Sequence, residues 1–372
     1  MNKNKYDVAA FFWPAYTGDE PRARMFWPEG YGEWQTVKAM QPRFSGHEWP
    51  RKPLWGYVNE ADPYVMEMEL EAASNHGVNV FIFDWYWYDN RPFLEQSLDN
   101  GYLKARNNNK VKFYVMWANH EMSSCWDKRT AHHYINMCDY AKGPEQFKTI
   151  CDRVVKMYFE HDSYYKIGGK PVFQIYDFCN FLLGIGGVDN ARRALYTLND
   201  MAVNAGFSGV HTQVTLRAPG DMMWTSPKFA FEGTVKDGID YVGIDSVTHY
   251  QLCASVKEHT EYKDMIPGMI DIWNDCGSGY KAPYFPHVSL GWDPTPRYIP
   301  ERKDVVMHAK PEYVEQLLRK ARDYVDNHTE LPVPLVTINS WNEWTETSYL
   351  MPDDLYGYGY LEAVKKVFVD GE

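Results

Sequence analysis

The sequence predicts a (β/α)8 TIM barrel, and three observations carry that expectation. Short apolar runs alternate along the chain with helix-like stretches. The runs are near-continuous Val, Ile and Phe, the pattern of parallel strands buried on both faces. The first run ends Phe12-Trp13-Pro14-Ala15-Tyr16 with no glycine-rich phosphate loop, so the signature of an open doubly wound sheet is missing.

The predicted strands are Asp7–Trp13, Val78–Trp87, Lys112–Trp117, Pro171–Tyr176, Val210–Leu216, Tyr241–Val247, Tyr284–Leu290 and Pro334–Ser340. Between them, Asp62–Asn75 opens with an Asp-Pro start signal and stops before Gly77, which reads as a helix. Pro144–Tyr158, Asn190–Asn204, Val256–Asn274 and Pro311–Val325 carry apolar residues at three-four spacing, and Tyr360–Phe368 closes the chain. Strand and helix in strict alternation, with right-handed crossovers, is the grammar of a barrel. Pro14–Asn59 and Asn119–Gly143 are too long for ordinary loops, and their Trp, Tyr, Gly and Pro content predicts packed lids after the first and third strands. No low-complexity linker or shift in composition interrupts the chain, so residues 1–372 read as one domain.

Aromatic residues make up 16% of the chain, with 14 Trp and 28 Tyr, and many stand beside polar residues, as in Phe83-Asp84-Trp85-Tyr86-Trp87-Tyr88-Asp89. Such rings suit stacking on the C–H faces of sugars, and equally suit a Tyr-rich core. A net charge of -12 argues against nucleic acid as a partner, since phosphate binding needs clustered Lys and Arg. No apolar run approaches the ~20 residues of a membrane span. The N-terminus runs from Met1 to Lys5 straight into a strand with no secretory apolar region. As written the chain reads as cytoplasmic, or as periplasmic or secreted if a leader has been removed. Cys125, Cys138, Cys151, Cys179, Cys253 and Cys276 form no CxxC pair and read as reduced, half-buried residues. HExxH, GxSxG and Walker motifs are all missing, and no metal or cofactor is expected. The adjacent pairs His132-His133 and Asp353-Asp354 have no company at ligand spacing and read as loop residues.

Polar residues gather just after the predicted strands: Asp84, Asn119 with His120 and Glu121, Asp177, Asp245 with His249, Trp292 with Asp293, and Asn342, Glu343 and Glu346. A parallel barrel turns all these positions toward one mouth. The eighth segment is the sharpest, because Trp341-Asn342-Glu343-Trp344-Thr345-Glu346 follows a strand. Two Glu three residues apart meet on one side if the backbone turns helically, and neighbouring Trp rings can raise a carboxyl pKa. Glycoside cleavage needs such a pair, one group to protonate the leaving oxygen and one to help form the new bond. The same spacing fits, equally well, the first turn of a helix with its acids at the positive end.

The stretch from Ser340 to Glu346, continuing through Tyr349-Leu350-Met351-Pro352-Asp353 to Tyr356-Gly357-Tyr358, resembles the WbsX-like proteins. These belong to the wider group around glycoside hydrolase family 99, the endo-α-mannosidases and endo-mannanases. Gly32-Glu33-Trp34, Asp84-Trp85-Tyr86-Trp87, Trp117-Ala118-Asn119, the run from Ile167 to Val172 and Gly291-Trp292-Asp293-Pro294-Thr295-Pro296-Arg297 agree in order along nearly the whole chain. The resemblance implies a TIM barrel whose Glu-Trp-x-Glu acids are Glu343 and Glu346. Glu346 is then the general acid/base, and Glu343 the base that withdraws the proton of the sugar's 2-hydroxyl. The outcome is retention through an epoxide-like intermediate. Family 99 proper usually carries His and Gly where this chain has Thr345 and Thr347, and its His-Ile-Glu-Pro-type motif has no counterpart here. The implied substrate is therefore an oligosaccharide or polysaccharide with an α-linked sugar bearing a free 2-hydroxyl, rather than mannose in particular. Trp117, Asn119, Asp84, Asp177, Trp292, Asp293, Trp341 and Asn342 are the expected sugar contacts. Two alternatives stand beside hydrolysis: a WbsX-type glycosyltransferase of polysaccharide biosynthesis, although neither a Rossmann-like half nor a metal-binding DxD is found, and a non-catalytic carbohydrate-binding barrel.

Overall fold

The structure is a computed structural model describing residues 5–18, 20–217, 233–298 and 302–371. Its centre is a ring of parallel strands: β1 Asp7–Phe12, β2 Val80–Tyr88, β3 Lys112–Trp117, β4 Lys170–Ile175, β5 His211–Leu216, β6 Ser246–His249, β7 His287–Ser289 and β8 Leu335–Asn339. Hydrogen bonding runs β6-β5-β4-β3-β2-β1-β8-β7. Val247 of β6 closes the ring, donating from its N–H to the Pro283 carbonyl at 3.0 Å and accepting from Phe285 N at 2.9 Å. This is a (β/α)8 barrel, as the apolar runs predict.

Alternation along each strand sorts the side chains between the barrel interior and the helical jacket. On β2, Phe83 and Trp85 pack outward on Tyr102 and Tyr158, while Asp84 and Tyr86 face a cavity at the barrel mouth. The interior below that cavity is polar and fully buried. Tyr114 donates to Gln213 at 3.0 Å, Gln213 to Ser246 at 3.1 Å, and Thr337 meets both Thr248 (2.7 Å) and His287 Nδ1 (2.9 Å). A dry core would leave these groups without partners; joined, they form a stiff floor.

Helix α1 Trp34–Lys38 lies in the segment after β1, and the jacket comprises α2 Pro63–Asn75, α3 Pro144–Val154, α4 Phe178–Ile185, α5 Val188–Asn204, α6 Val235–Val242, α7 Tyr262–Gly279, α8 Pro311–Asn327 and α9 Gly359–Phe368. Asp62 caps α2, with Pro63 in its first turn, as expected from the Asp-Pro signal. Three expectations need correction. The predicted sixth strand, Tyr241–Val247, begins in the end of α6, and β6 starts only at Ser246. A capping box between Thr234 and Asp237 opens that helix and left-handed Gly243 ends it, so Tyr241 and Val242 belong to a helix face. The helix expected from Val256 begins at Tyr262, because Thr260–Glu261 pair instead with Val306–Met307. The β2–β3 crossover holds only a π-turn and two 3-10 turns.

Both long insertions pack over the mouth, as expected. Trp126, from the segment after β3, packs against Phe26 and Trp27 of the segment after β1, and against Phe93. Among the described residues no helix is long and apolar enough to cross a membrane.

Candidate active site

The mouth encloses a cavity of about 200 Å³ walled by Trp13, Tyr86, His120, Trp126, Tyr176 and Tyr298, with Asp84, Arg297, Glu343 and Glu346 among its polar lining. A second lobe of about 170 Å³, bordered by Leu216, Arg217, Gln251 and Trp292, shares Tyr176, Tyr250 and Glu346 with the first. The Glu346 carboxyl group therefore stands between two spaces.

Glu343 follows β8, its backbone N–H held by Ser340 Oγ at 2.7 Å, and the next three residues form a single 3-10 turn that brings Glu346 to the same side. Thr347 leaves that turn in a left-handed conformation, φ 55°. One buried guanidinium organises the acids. Arg297 donates from Nη2 to Glu343 at 2.8 Å, from Nη1 to Glu346 at 2.8 Å, and from Nε to Glu33 at 2.7 Å. Its plane lies over the Trp13 ring, 5.4 Å from the centroid, and Trp13 Nε1 donates to Glu33 at 2.6 Å. Glu33 owes its place to Gly32, whose φ of 59° favours glycine and whose Cβ, if it had one, would collide with the Ala15 carbonyl oxygen.

Three acids, Glu33, Glu343 and Glu346, thus share one Arg, and Asp84 lines the same cavity without that contact. Burial raises the Glu343 pKa well above the ordinary glutamate value; the Glu346 charge adds to this, and Arg297 only partly offsets it. Burial likewise raises Glu346, again against Arg297, and pushes Asp84 well up. The shifts of Glu343 and Glu346 both favour the protonated carboxyl group. His120 is the reverse case, its pKa lowered by burial. Its Nδ1 lies 2.9 Å from the Glu121 carbonyl, which only accepts, so the proton sits on Nδ1. Among the described residues no group of three or more His, Cys, Asp or Glu is arranged to hold a metal ion.

Residues 8–364 match the family described as "Glycosyltransferase WbsX". The chain belongs to the WbsX family. Two curated relatives, each named "Uncharacterized protein WxcX" and from two strains of Xanthomonas campestris pv. campestris, are 25% identical over 362 residues, covering 96% of this chain. The match takes in 49% of their own length, so the chain spans about half of the curated relatives it matches. Among solved structures, the GH99 endo-alpha-mannosidase from Bacteroides thetaiotaomicron superposes with a TM-score of 0.63 at 14% identity, covering 98% of this chain and 96% of that one. A "glycoside hydrolase-like protein" gives 0.60 at 16% identity, covering 99% and 95%. At these identities the likeness concerns the fold.

Of the expected site residues of this WbsX-family chain, Glu343, Glu346 and Asp84 line the main cavity and Trp292 the second lobe. The other six lie elsewhere, for reasons of geometry. Trp117 sits on β3 one position from cavity-lining Met116, so its ring turns outward onto Phe147 and Phe181. Asn119 exchanges hydrogen bonds with the Asp177 backbone at 2.7 and 2.8 Å. Asp177 itself caps α4 and faces Arg217. Asp293 bonds His47 at 2.6 Å and the Thr295 N–H at 3.0 Å. Trp341 is fully buried, donating to Glu69 at 2.9 Å, and Asn342 bonds Trp13 and Glu60. None of the six lines either space. In the Asp353-Asp354 pair, Asp353 is a buried turn former that accepts from the Tyr349 hydroxyl at 2.7 Å.

The sequence reading missed Arg297, Tyr250, Glu33, Trp13, Tyr86, Tyr176, Trp126 and Tyr298 as lining or organising groups. Arg297 and Glu33 lie in stretches that carry the family resemblance, Glu33 as the lone charge between Gly32 and Trp34 and Arg297 as the lone cation of its stretch, and that was the available signal. The strand parity that selects Tyr86 over Trp85 was available too. Tyr250 carried none, being one Tyr of 28.

Proposed function

We propose that this chain cleaves α-linked glycans by a retaining route assisted by the sugar's own 2-hydroxyl. The observation that carries the reading is the Arg297 fork, which holds Glu343 and Glu346 side by side at the wall of a sugar-sized aromatic cavity. In this reading the cavity takes the sugar whose bond breaks, and the lobe with Trp292 takes the departing side, with Glu346 between them. Glu346 gives its proton to the departing oxygen while Glu343 accepts the proton of the 2-hydroxyl. The 2-oxygen attacks the anomeric carbon, forming a three-membered ring, and the bond to the leaving oxygen breaks. Water then loses a proton to Glu346 and opens the ring, and Glu343 returns its proton to the 2-oxygen. The placing of Glu346 between the two spaces, with Glu343 beside it on the same Arg297 fork, supports this division of labour, since one group must enter as an acid and the other as a base. The likeness to an endo-alpha-mannosidase supports an α-linked substrate.

A second reading, transfer of a sugar to another glycan, is favoured by the family's own description; there the second lobe would receive an acceptor hydroxyl in place of water. Incubation with a panel of α-linked oligosaccharides and polysaccharides, with the first-formed anomer followed by NMR, separates the two. The hydrolase reading expects cleavage with retention. Glu343→Gln and Glu346→Gln should each lower the rate by about a hundredfold to ten-thousandfold while sugar still binds. Binding of a nucleotide-sugar with no glycan cleaved would sink it in favour of transfer.

A further inference from the structure

Tyr250 stands between two carboxyl groups. Its hydroxyl is 2.9 Å from Asp84 Oδ2 and 3.1 Å from Glu343 Oε2. A phenol has one proton to donate. Both contacts are hydrogen bonds only when one carboxyl group is protonated and donates to the tyrosine oxygen; two carboxylates would leave one oxygen pair facing each other with no hydrogen between. The phenol is not the ionised partner, because burial and the charges of Asp84, Glu343 and Glu346 all oppose its ionisation. One resident proton therefore belongs to the Asp84–Tyr250–Glu343 chain.

The surroundings decide which end holds it. Glu343 has a cation, Arg297 Nη2 at 2.8 Å, on its other oxygen, with Glu33, Glu346 and Tyr16 nearby. Asp84 has no such support. Its Oδ1 is buried without a hydrogen-bond partner, and the charged group acting on it is another acid, Glu346; Tyr86 and Tyr250 are its phenolic neighbours. An orphaned oxygen costs far less on a neutral acid than on an anion. We propose that Asp84 is a positioning residue that holds this proton and donates it to Tyr250, which donates in turn to Glu343, so that Glu343 meets the substrate ionised. The proposal rests on the role given to Glu343 as base.

The sharpest variant is Asp84→Asn, whose amide N–H can replace the acid O–H as donor to Tyr250. Infrared difference spectra of the unliganded protein at neutral pH should show one protonated-carboxyl band fewer in Asp84→Asn than in wild type. This measurement needs no substrate, so it stands even if the hydrolase reading fails. An unchanged band would mean that Asp84 is ionised, overturning the proposal. In cleavage assays Asp84→Asn should stay within about tenfold of wild type, while Asp84→Ala, without a donor, should lose about a hundredfold. An Asp84→Asn enzyme as inactive as Asp84→Ala, or an Asp84→Ala enzyme as active as wild type, also overturns it.

Discussion

At the scale of single residues, Arg297 does the most with the fewest atoms. Its fork bonds three acids that would otherwise repel one another, and no ammonium matches that geometry. Removing one partner from such a cluster leaves uncompensated charge, a cost of about 3–5 kcal/mol. The sign with pH follows from the partners. Glu343 and Glu346 already sit above the glutamate value of 4.5 against the pull of Arg297, and its loss lets them rise further. Stability from a raised carboxyl is present below the unfolded pKa and lost as pH rises. Arg297→Met is therefore expected to be near wild type in stability around pH 4 and far weaker at pH 8, as measured by urea unfolding at both. A uniform loss at both values would show that packing, and not charge, is what Arg297 supplies. The sequence made Glu343 and Glu346 legible because a strand end and an i,i+3 spacing are local facts. Arg297 was less so, because its partners lie 46, 49 and 264 positions away, and its place in a resembling stretch does not say what it will meet.

At the scale of elements, the site is held by ties between strand ends. Asn342, just past β8, accepts from Trp13 N at 2.7 Å, and its Nδ2 donates to the Trp13 carbonyl at 2.8 Å and to Glu60 at 2.9 Å. It thereby fixes the end of β1 against the acids' own segment. A parallel tie runs from the lid: His47 bonds Asp293, and the Asp293 N–H donates to the Glu346 carbonyl at 2.7 Å. Asn342→Ala strands a buried backbone pair and a carboxyl group, and should cost about 2–3 kcal/mol in chemical denaturation. Asn342→Asp should cost more, since it sets a charge against Glu60; equal losses would show that only the hydrogen-bond count matters. The same ties explain what sequence reading could and could not do with the elements. Periodicity found β1, β3 and β8 nearly residue for residue, since strands buried on both faces carry their signal in themselves. It misplaced β6, where the four-residue strand Ser246–His249 is too short to outweigh the apolar end of α6. Candidates drawn from positions after strands were sorted by parity, which points Met116 inward and Trp117 outward, and position alone does not supply that.

At the scale of the whole molecule, this acidic chain buries acids as well as exposing them. Behind the barrel wall Glu60 accepts from Asn342, while Glu69 on α2 accepts from Trp341 and leaves its other oxygen without a hydrogen-bond partner. Burial pushes Glu69 up to about 8, with the Trp341 bond pulling slightly the other way. Burial and the charge of Glu69 also raise Glu60 well above its ordinary value. The folded chain therefore keeps a proton on Glu69 at neutral pH that the unfolded chain, with an ordinary value of 4.5, releases. Stability from that proton is complete below about 4.5 and is lost as the pH climbs through about 8. Unfolding midpoints in urea should accordingly fall from pH 5 to pH 9. Glu69→Gln keeps an oxygen for Trp341 and removes the titration, so its curve should be flatter and should lie above wild type at the alkaline end. Parallel curves would mean that Glu69 is ionised inside the fold, with some cation or rearrangement meeting the cost. Because Trp341 and Asn342 carry these contacts into the segment that bears Glu343, the same alkaline loss should reach the cavity before the barrel unfolds. Under the proposed function, a fall in oligosaccharide binding that precedes the main transition at pH 9 in wild type, but not in Glu69→Gln, is the expected mark of that route.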